Sequence, residues 1–309
     1  MTSDPDRIDS AERADGAGSA LADRIATARS FLFVPGDRPT RFGSALTSTA
    51  DLVVVDLEDA VAAEAREEAR THVVALLERR SDVLVRVNAP GTAGRRADLA
   101  ALRRLDAALG VMVAKCETEA DVAEVRTALG PEAVVLPLLE TASGLRGIDA
   151  VARSRGVVRL AFGSIDYAVD CGCEHDREAL LVARSTLVAA SRAAGLPQPV
   201  DGVTTQLGDP ERLADDTRYA RQLGFAGKLC VHPGQTDAVN DGFAPSADEL
   251  AWARRVLRTT TEGVRGAVRV DDEMVDAPVR LRARRIVHSA HASPPRPDRP
   301  AATTHRSDP

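Results

Sequence analysis

Three carboxylates stand within four positions at the end of an apolar run: "VVVDLEDAV", Val53 to Val61, carries Asp56, Glu58 and Asp59. Acids crowded at the end of a buried strand repel one another and need a cation, a set of hydrogen-bond donors or open water to balance them. Two further acids occupy the same kind of position, Glu140 after "VVLPLL" and Asp166 after "RLAFGSI". On adjacent parallel strands these two carboxylates can meet across one hard cation, with room left for water and ligand oxygens. Magnesium fits that arrangement better than zinc, because His232 and the cysteines are not gathered at any metal-ligand spacing whereas oxygen ligands abound. The undemanding alternative for Glu140 is a helix N-terminal acid. The basic residues at comparable positions are Arg86, after "VLV", and Lys115. Lys115 and Lys228 are the only lysines in an arginine-dominated chain, which points to places where a compact ammonium is required.

These residues need elements to hold them, and the chain supplies a regular series. Short apolar runs occur at 31–34 ("FLFV"), 52–56 ("LVVVD"), 83–87 ("VLVRV"), 111–115 ("VMVAK"), 133–140 ("AVVLPLLE"), 157–163 ("VVRLAFG"), 199–205 ("PVDGVTT") and 227–233 ("GKLCVHP"). Between them lie segments with apolar residues at helical spacing, such as "AEAREEARTHVVALLERR" and "REALLVARSTLVAASRAAG". Eight β-then-α units predict an α/β fold, a (β/α)8 TIM barrel, with an open doubly wound sheet as the alternative. The strand ends read Pro35-Gly36, Asp56 with Glu58 and Asp59, Arg86 with Asn88, Lys115, Glu140, Asp166, Asp201 and His232. A polar residue at any one strand end simply marks the start of a loop. In a barrel, however, all these ends converge on one face, where catalytic groups sit.

Composition bounds the function. The chain has 309 residues, 44% of them hydrophobic, enough for a large single core. A net charge of −6, without runs of basic and aromatic residues, argues against a nucleic-acid partner, and no apolar stretch reaches membrane-spanning length. The acidic N-terminus, "MTSDPDRIDSAERADGAGSA", has no apolar core and is neither a secretory signal nor a transit peptide, so a cytoplasmic location is expected. Cys116, Cys171, Cys173 and Cys230 lie in or beside apolar segments and read as reduced, mostly core thiols. Residues 1–28 and the proline-rich end, 292–309, lack periodicity and are expected to be disordered.

The segments "FLFVPGDRPTRF", "DLVVVDLEDAV", "VRVN", "PLLETASG", "FGSIDYAVDCG", "GFAGKLCVHPGQTDAVNDGFAPS" and "DDEMVDAPV" follow one another in an order and spacing that resembles the citrate lyase beta-subunit-like family of coenzyme A ester lyases, relatives of malyl-coenzyme A lyases and malate synthases. The resemblance covers nearly all of residues 30–290 and implies a magnesium-dependent (β/α)8 barrel. It implies that Glu140 and Asp166 hold Mg2+, that Arg86 meets the substrate, and that Asp56 and Glu58 hold the waters of the metal while Asp59 serves the loop. The backbone amides of Gly163, Ser164 and Ile165 would hold a substrate carboxylate. The segment "DDEMVDAP" resembles a late family motif that reaches the active site of a neighbouring subunit, which makes Asp276 the general acid-base, with a helix cap as its alternative role.

The implied organisation is a barrel over 29–262 and a C-terminal extension over 263–291 that packs on a neighbouring subunit, in a homotrimer or dimer of trimers. The implied reaction is reversible cleavage of a 3-hydroxyacyl-coenzyme A, such as malyl- or citramalyl-coenzyme A, into a 2-oxo acid and a short acyl-coenzyme A. The alternatives are a citrate lyase beta subunit acting on an acyl-carrier-protein thioester, a class II 2-oxo-acid aldolase without coenzyme A, and a binding barrel without turnover. The chain departs from the family pattern in three places. Ala114-Lys115 stands where the family has Pro-Lys, the glycine of the late motif is replaced by Asp272 or lost, and "CGCEHD" matches no role.

Overall fold

Alternation along the strands decides which side chains fill the barrel and which face the helices. The computed structural model describes residues 17–105, 108–259, 268–270 and 273–291. Eight parallel strands close into a barrel in chain order: β1 (Ser30–Pro35), β2 (Leu52–Asp56), β3 (Leu84–Val87), β4 (Gly110–Val113), β5 (Val134–Leu139), β6 (Ala161–Phe162), β7 (Val200–Asp201) and β8 (Gly227–Cys230), with β8 pairing back onto β1. The (β/α)8 expectation is met. Around the strands run α1 (Ala17–Thr27), α2 (Phe42–Leu46), α3 (Arg66–Leu77), α4 (Ala93–Leu102), α5 (Glu119–Leu129), α6 (Ala142–Arg153), α7 (Ser164–Cys171), α8 (Leu181–Ala193), α9 (Pro210–Leu223) and α10 (Thr236–Phe243).

Phe31, Leu52, Val54, Leu84, Met112, Leu136, Leu138, Ala161, Val200 and Leu229 form the filling of the barrel. The intervening Val53, Val55, Val85, Val87, Val111, Val113, Val135 and Leu139 pack with the helices. Carrying the same period two residues further turns Asp56, Arg86 and Glu140 inward at the carboxyl ends of their strands. The register sets Asp56 directly beside Arg86.

Residues 17–27, placed by their composition in a disordered lead, form α1 instead; residues 1–16 lie outside the described residues. Leu21 and Ile25, one helical turn apart, are buried and join the cluster that fills the barrel. Arg159, fully buried, donates from Nη1 to the carbonyls of Ile25 (2.9 Å) and Ala28 (2.6 Å) and from Nε to that of Gln198 (2.6 Å). The bonds to Ile25 and Ala28 take up carbonyls at the end of α1 that lack intrahelical partners, and the bond to Gln198 ties in the loop before β7.

β6 and β7 are shorter than the apolar runs that contain them. Val157 makes only an isolated bridge to Val135. Just past β7, the carbonyl of Gly202 accepts from Lys228 Nζ (2.7 Å), and a Cβ at Gly202 would lie 2.0 Å from Ser164 Oγ.

The chain divides after Phe243, earlier than the expected barrel limit at 262. The second unit holds α11 (Ala247–Thr259), a hairpin of β9 (Val268–Val270) and β10 (Glu273–Val275), and α12 (Ala277–His291). Ala253, Val256, Val275 and Ala283 form its small core, with Trp252 and Ile286 packed against it and Arg282 5.0 Å from the Trp252 ring. The apolar face of α11 is thus satisfied by α12, which is why α11 groups with the extension. The expected tail at 292–309 lies outside the described residues. No helix among the described residues is long and apolar enough to cross a membrane.

Candidate active site

The acids at the end of β2 are balanced mainly from within the chain. Asp56 is fully buried, and Arg86 grips it with a two-pronged contact, Nε to Oδ1 at 2.7 Å and Nη2 to Oδ2 at 2.6 Å. The amides of Glu58 and Ala60 donate to the same two oxygens at 3.0 Å each. A carboxylate has about four lone-pair sites, and all those of Asp56 are engaged. Asp56 therefore anchors Arg86 and closes its own turn, and it is not free to hold the water of a metal.

Arg86 Nη1 lies 3.2 Å from Glu58 Oε2, and the guanidinium sits 4.7 Å from the centre of the Phe33 ring. Burial alone would push this guanidinium down, but the bonds to Asp56 and the charges of Glu58 and Glu140 hold it above its ordinary range. Glu58, also buried, receives Lys115 Nζ on Oε1 and the Asp59 amide on Oε2. Burial raises its carboxyl above the ordinary value, and Arg86 and Lys115 partly offset that. The Asp59 side chain is half exposed, with Lys115 Nζ 3.7 Å away.

Lys115 does two things. Its backbone has a φ of 48°, in the left-handed region that side-chain-bearing residues seldom occupy. In that conformation its amide donates to Glu140 Oε1 at 2.7 Å, while its ammonium lies 3.3 Å from Asp166 Oδ2. One residue thereby ties the ends of β2 and β5 to the first turn of α7.

Glu140 is buried, and that burial pushes its carboxyl up to about 8; Asp166 and Glu58 add to the rise and Arg86 opposes it. Gly163 makes room for it. A Cβ at Gly163 would lie 2.2 Å from Glu140 Oε2, so only glycine allows the carboxylate to sit beside the start of α7. Asp166, in the first turn of α7, is one-third exposed. Asp56, Asp59, Arg86, Glu140, Gly163, Ser164, Ile165 and Asp166 share one cavity of about 330 Å3 whose walls include Phe33, Leu138, Phe162 and Leu229.

These residues suit a magnesium ion. Glu140 and Asp166 offer hard oxygen donors on one cavity wall, and among the described residues no three His, Cys, Asp or Glu side chains form a closed metal cage. Magnesium commonly takes one or two carboxylates and keeps waters or ligand oxygens elsewhere, which two carboxylates at a cavity wall permit.

Asp276 belongs to the second unit, where its Oδ1 accepts from the Val279 amide at 3.1 Å and so caps α12. His232 likewise serves its own turn, accepting from the Gly234 amide at 3.0 Å. Lys228 is buried against Gly202 and Asp201. Of the cysteines, Cys116 and Cys230 are buried in the core, Cys173 is partly buried and packs against it, and Cys171 is exposed; all four are free. The residue missed in the sequence is His175, within "CGCEHD", whose Nε2 lies 2.9 Å from Ser164 Oγ. No sequence spacing signals that contact, because it depends on a chain reversal.

A family model described as HpcH/HpaI aldolase/citrate lyase matches residues 29–233. A citrate lyase subunit beta-like protein of Mycobacterium tuberculosis (strain CDC 1551 / Oshkosh) is 36% identical over 270 residues, covering 84% of this chain and 94% of the relative. A (3S)-malyl-CoA thioesterase of Cereibacter sphaeroides (strain ATCC 17029 / ATH 2.4.9) is 32% identical, with 85% and 95% covered. Among solved structures, protein CitE of Mycobacterium tuberculosis in complex with magnesium, acetoacetate and coenzyme A superposes with a TM-score of 0.76 at 33% identity, covering 86% of this chain and 99% of that one.

Proposed function

The chain belongs to the HpcH/HpaI aldolase/citrate lyase family, a family of lyases, and on that premise we propose that it is a magnesium-dependent coenzyme A ester lyase that reversibly cleaves a 3-hydroxyacyl-coenzyme A such as malyl- or citramalyl-coenzyme A. The observation that carries this reading is the convergence of Glu140, Asp166 and Arg86 on one cavity at the strand ends. The magnesium and coenzyme A of the CitE complex support it. In cleavage the substrate hydroxyl loses its proton and the bond from its carbon to the carbon beside the thioester carbonyl breaks. The bonding pair passes into a thioester enolate, which takes up one proton.

Glu140 and Asp166 would hold the metal, which when bound supplies a Lewis acid for the oxygens of the oxo-acid half. Arg86, held in place by Asp56, offers Nη1 to the developing alkoxide. Glu58 orients water beside Lys115 and Arg86, and the amides of Gly163, Ser164 and Ile165 bind the substrate carboxylate. Asp276 of a neighbouring copy delivers the proton to the enolate, in a homotrimer or dimer of trimers working in the cytoplasm.

The thioesterase relative favours a second reading, hydrolysis of the thioester, and the citrate lyase resemblance leaves a third, action on a carrier-protein thioester. One screen separates them. Malyl-, citramalyl- and citryl-coenzyme A, and the matching acyl-carrier-protein thioesters, are incubated with enzyme and magnesium. Release of glyoxylate, pyruvate or oxaloacetate together with acyl-coenzyme A, abolished by a chelator, is the expected result. Release of free thiol with the intact hydroxy acid would establish hydrolysis, and cleavage of carrier-protein thioesters alone would establish the third reading.

A further inference from the structure

The segment that follows α7 bends back onto the start of the same helix. α7 has eight residues and is capped after Cys171 by Gly172, whose φ of 66° reverses the chain. Three residues later His175 reaches Ser164. The Ser164 side chain is buried, and its other side is bounded by backbone: a Cβ at Gly202 would lie 2.0 Å from Ser164 Oγ. Behind Gly202 stands a buried polar group. Lys228 Nζ donates to the Gly202 carbonyl at 2.7 Å and lies 3.4 Å from Asp201 Oδ2, while Arg184 Nε donates to Asp201 Oδ1 at 2.9 Å. Lys228 and Asp201 are each only 1% exposed, so this backing has little freedom to shift. Ser164 is therefore held from two sides, by a side chain of its own returning loop and by an anchored turn after β7.

We propose that His175 is a positioning residue: through the Ser164 hydroxyl pressed against Gly202 it fixes the first turn of α7, and thereby sets the affinity of the site for the carboxylate of the oxo acid. This rests on the proposed lyase reading, in which the amides of Gly163, Ser164 and Ile165 hold that carboxylate. Burial, with the charges of Arg184 and Lys228, lowers the His175 imidazole below its ordinary value against the opposing pull of Asp201 and Asp216. A neutral ring keeps one nitrogen as donor and one as acceptor, and the Ser164 hydroxyl can pair with either kind.

The chemistry is read in the condensation direction, where the two substrates have separate KM values. His175→Ala should raise the oxo-acid KM about tenfold, the scale of one lost hydrogen bond, and leave the acyl-coenzyme A KM within about twofold. His175→Gln places an amide group near the Nε2 position and should recover the oxo-acid KM to within about threefold, whereas His175→Asn, with its shorter reach, should not. Positioning itself is read without turnover, by amide hydrogen exchange of the α7 segment. His175→Ala and Ser164→Ala should both accelerate exchange across the first turn of α7, and His175→Gln should restore protection.

Unchanged α7 protection in His175→Ala overturns the proposal, as does an equal rise of both KM values or failure of the Gln variant to recover. If the wild type condenses no oxo acid at all, the lyase reading falls. The exchange data then still decide whether His175 fixes α7.

Discussion

Glu140 carries the most readable electrostatics in the molecule. Its ordinary carboxyl value is 4.5, and burial lifts it to about 8 in the fold. Between those values the folded protein binds a proton that the unfolded chain does not. Stability from this group is therefore fully present below about pH 4.5 and is lost as pH rises towards about 8. Melting curves recorded in chelator over that window should show a falling Tm for the wild type and a flatter one for Glu140→Gln. If both slopes are equal, Glu140 is not the titrating group. Magnesium competes with that proton for the carboxylate, so the proposed metal should raise Tm more at about pH 8 than at about pH 6, and Glu140→Gln should lose both this effect and turnover.

Arg86 gives a separate test, since its grip on Asp56 needs a planar fork. Arg86→Lys keeps the charge and loses that geometry, and kcat/KM should fall by about two orders of magnitude, about 3 kcal/mol of transition-state stabilisation. A change of only a few-fold would show that the fork is dispensable. The inward placement of Asp56, Arg86 and Glu140 was legible in the sequence, because strand period is enough to turn them one way. The partner of Asp56 was not. Nothing in "VVVDLEDAV" says that an arginine thirty residues on will occupy both its oxygens.

Elements whose apolar pattern is dense were legible, and those that rely on a few contacts were not. β2, with "LVVVD" entirely buried, could hardly be anything but a central strand. α1 shows the opposite case: four of its eleven residues are Ala, and among its described side chains only Leu21 and Ile25 are buried. Its helix is maintained by tertiary contacts, the two side chains at the barrel filling and the Arg159 bonds to Ile25 and Ala28. Ile25→Ala should therefore destabilise the protein by about 2–5 kcal/mol, as deletion of a fully buried branched side chain does. Denaturant unfolding measures it, and a loss below about 1 kcal/mol would mean that α1 docks without contributing to the core. α11 was misassigned for a related reason. Its periodicity identifies a helix but does not say against which neighbour the apolar face closes, and α12 provides that neighbour from beyond the expected boundary.

The proposed chemistry draws on two units of the chain. The carboxylates, Arg86 and the start of α7 belong to the first, and Asp276 belongs to the second, where it caps α12. Its neighbours Met274 and Leu281 are 71% and 37% exposed, apolar surface of a kind that association with another copy would cover. If Asp276 serves the site of a neighbouring subunit, two individually inactive variants should complement each other. Asp276→Ala should lose carbon–carbon cleavage while retaining magnesium and oxo-acid binding by calorimetry, and Glu140→Gln should lose the metal-dependent step while keeping its aspartate. In hybrids formed by co-expression at equal levels, a site is complete when an Asp276→Ala barrel meets a Glu140→Gln neighbour. Random assembly in a closed ring makes about one site in four complete. Activity near a quarter of wild type per site is thus expected from the hybrids and none from either parent. Inactive hybrids would place both residues in one chain's own site, and an Asp276→Ala variant with full activity would leave the aspartate with its cap on α12 alone.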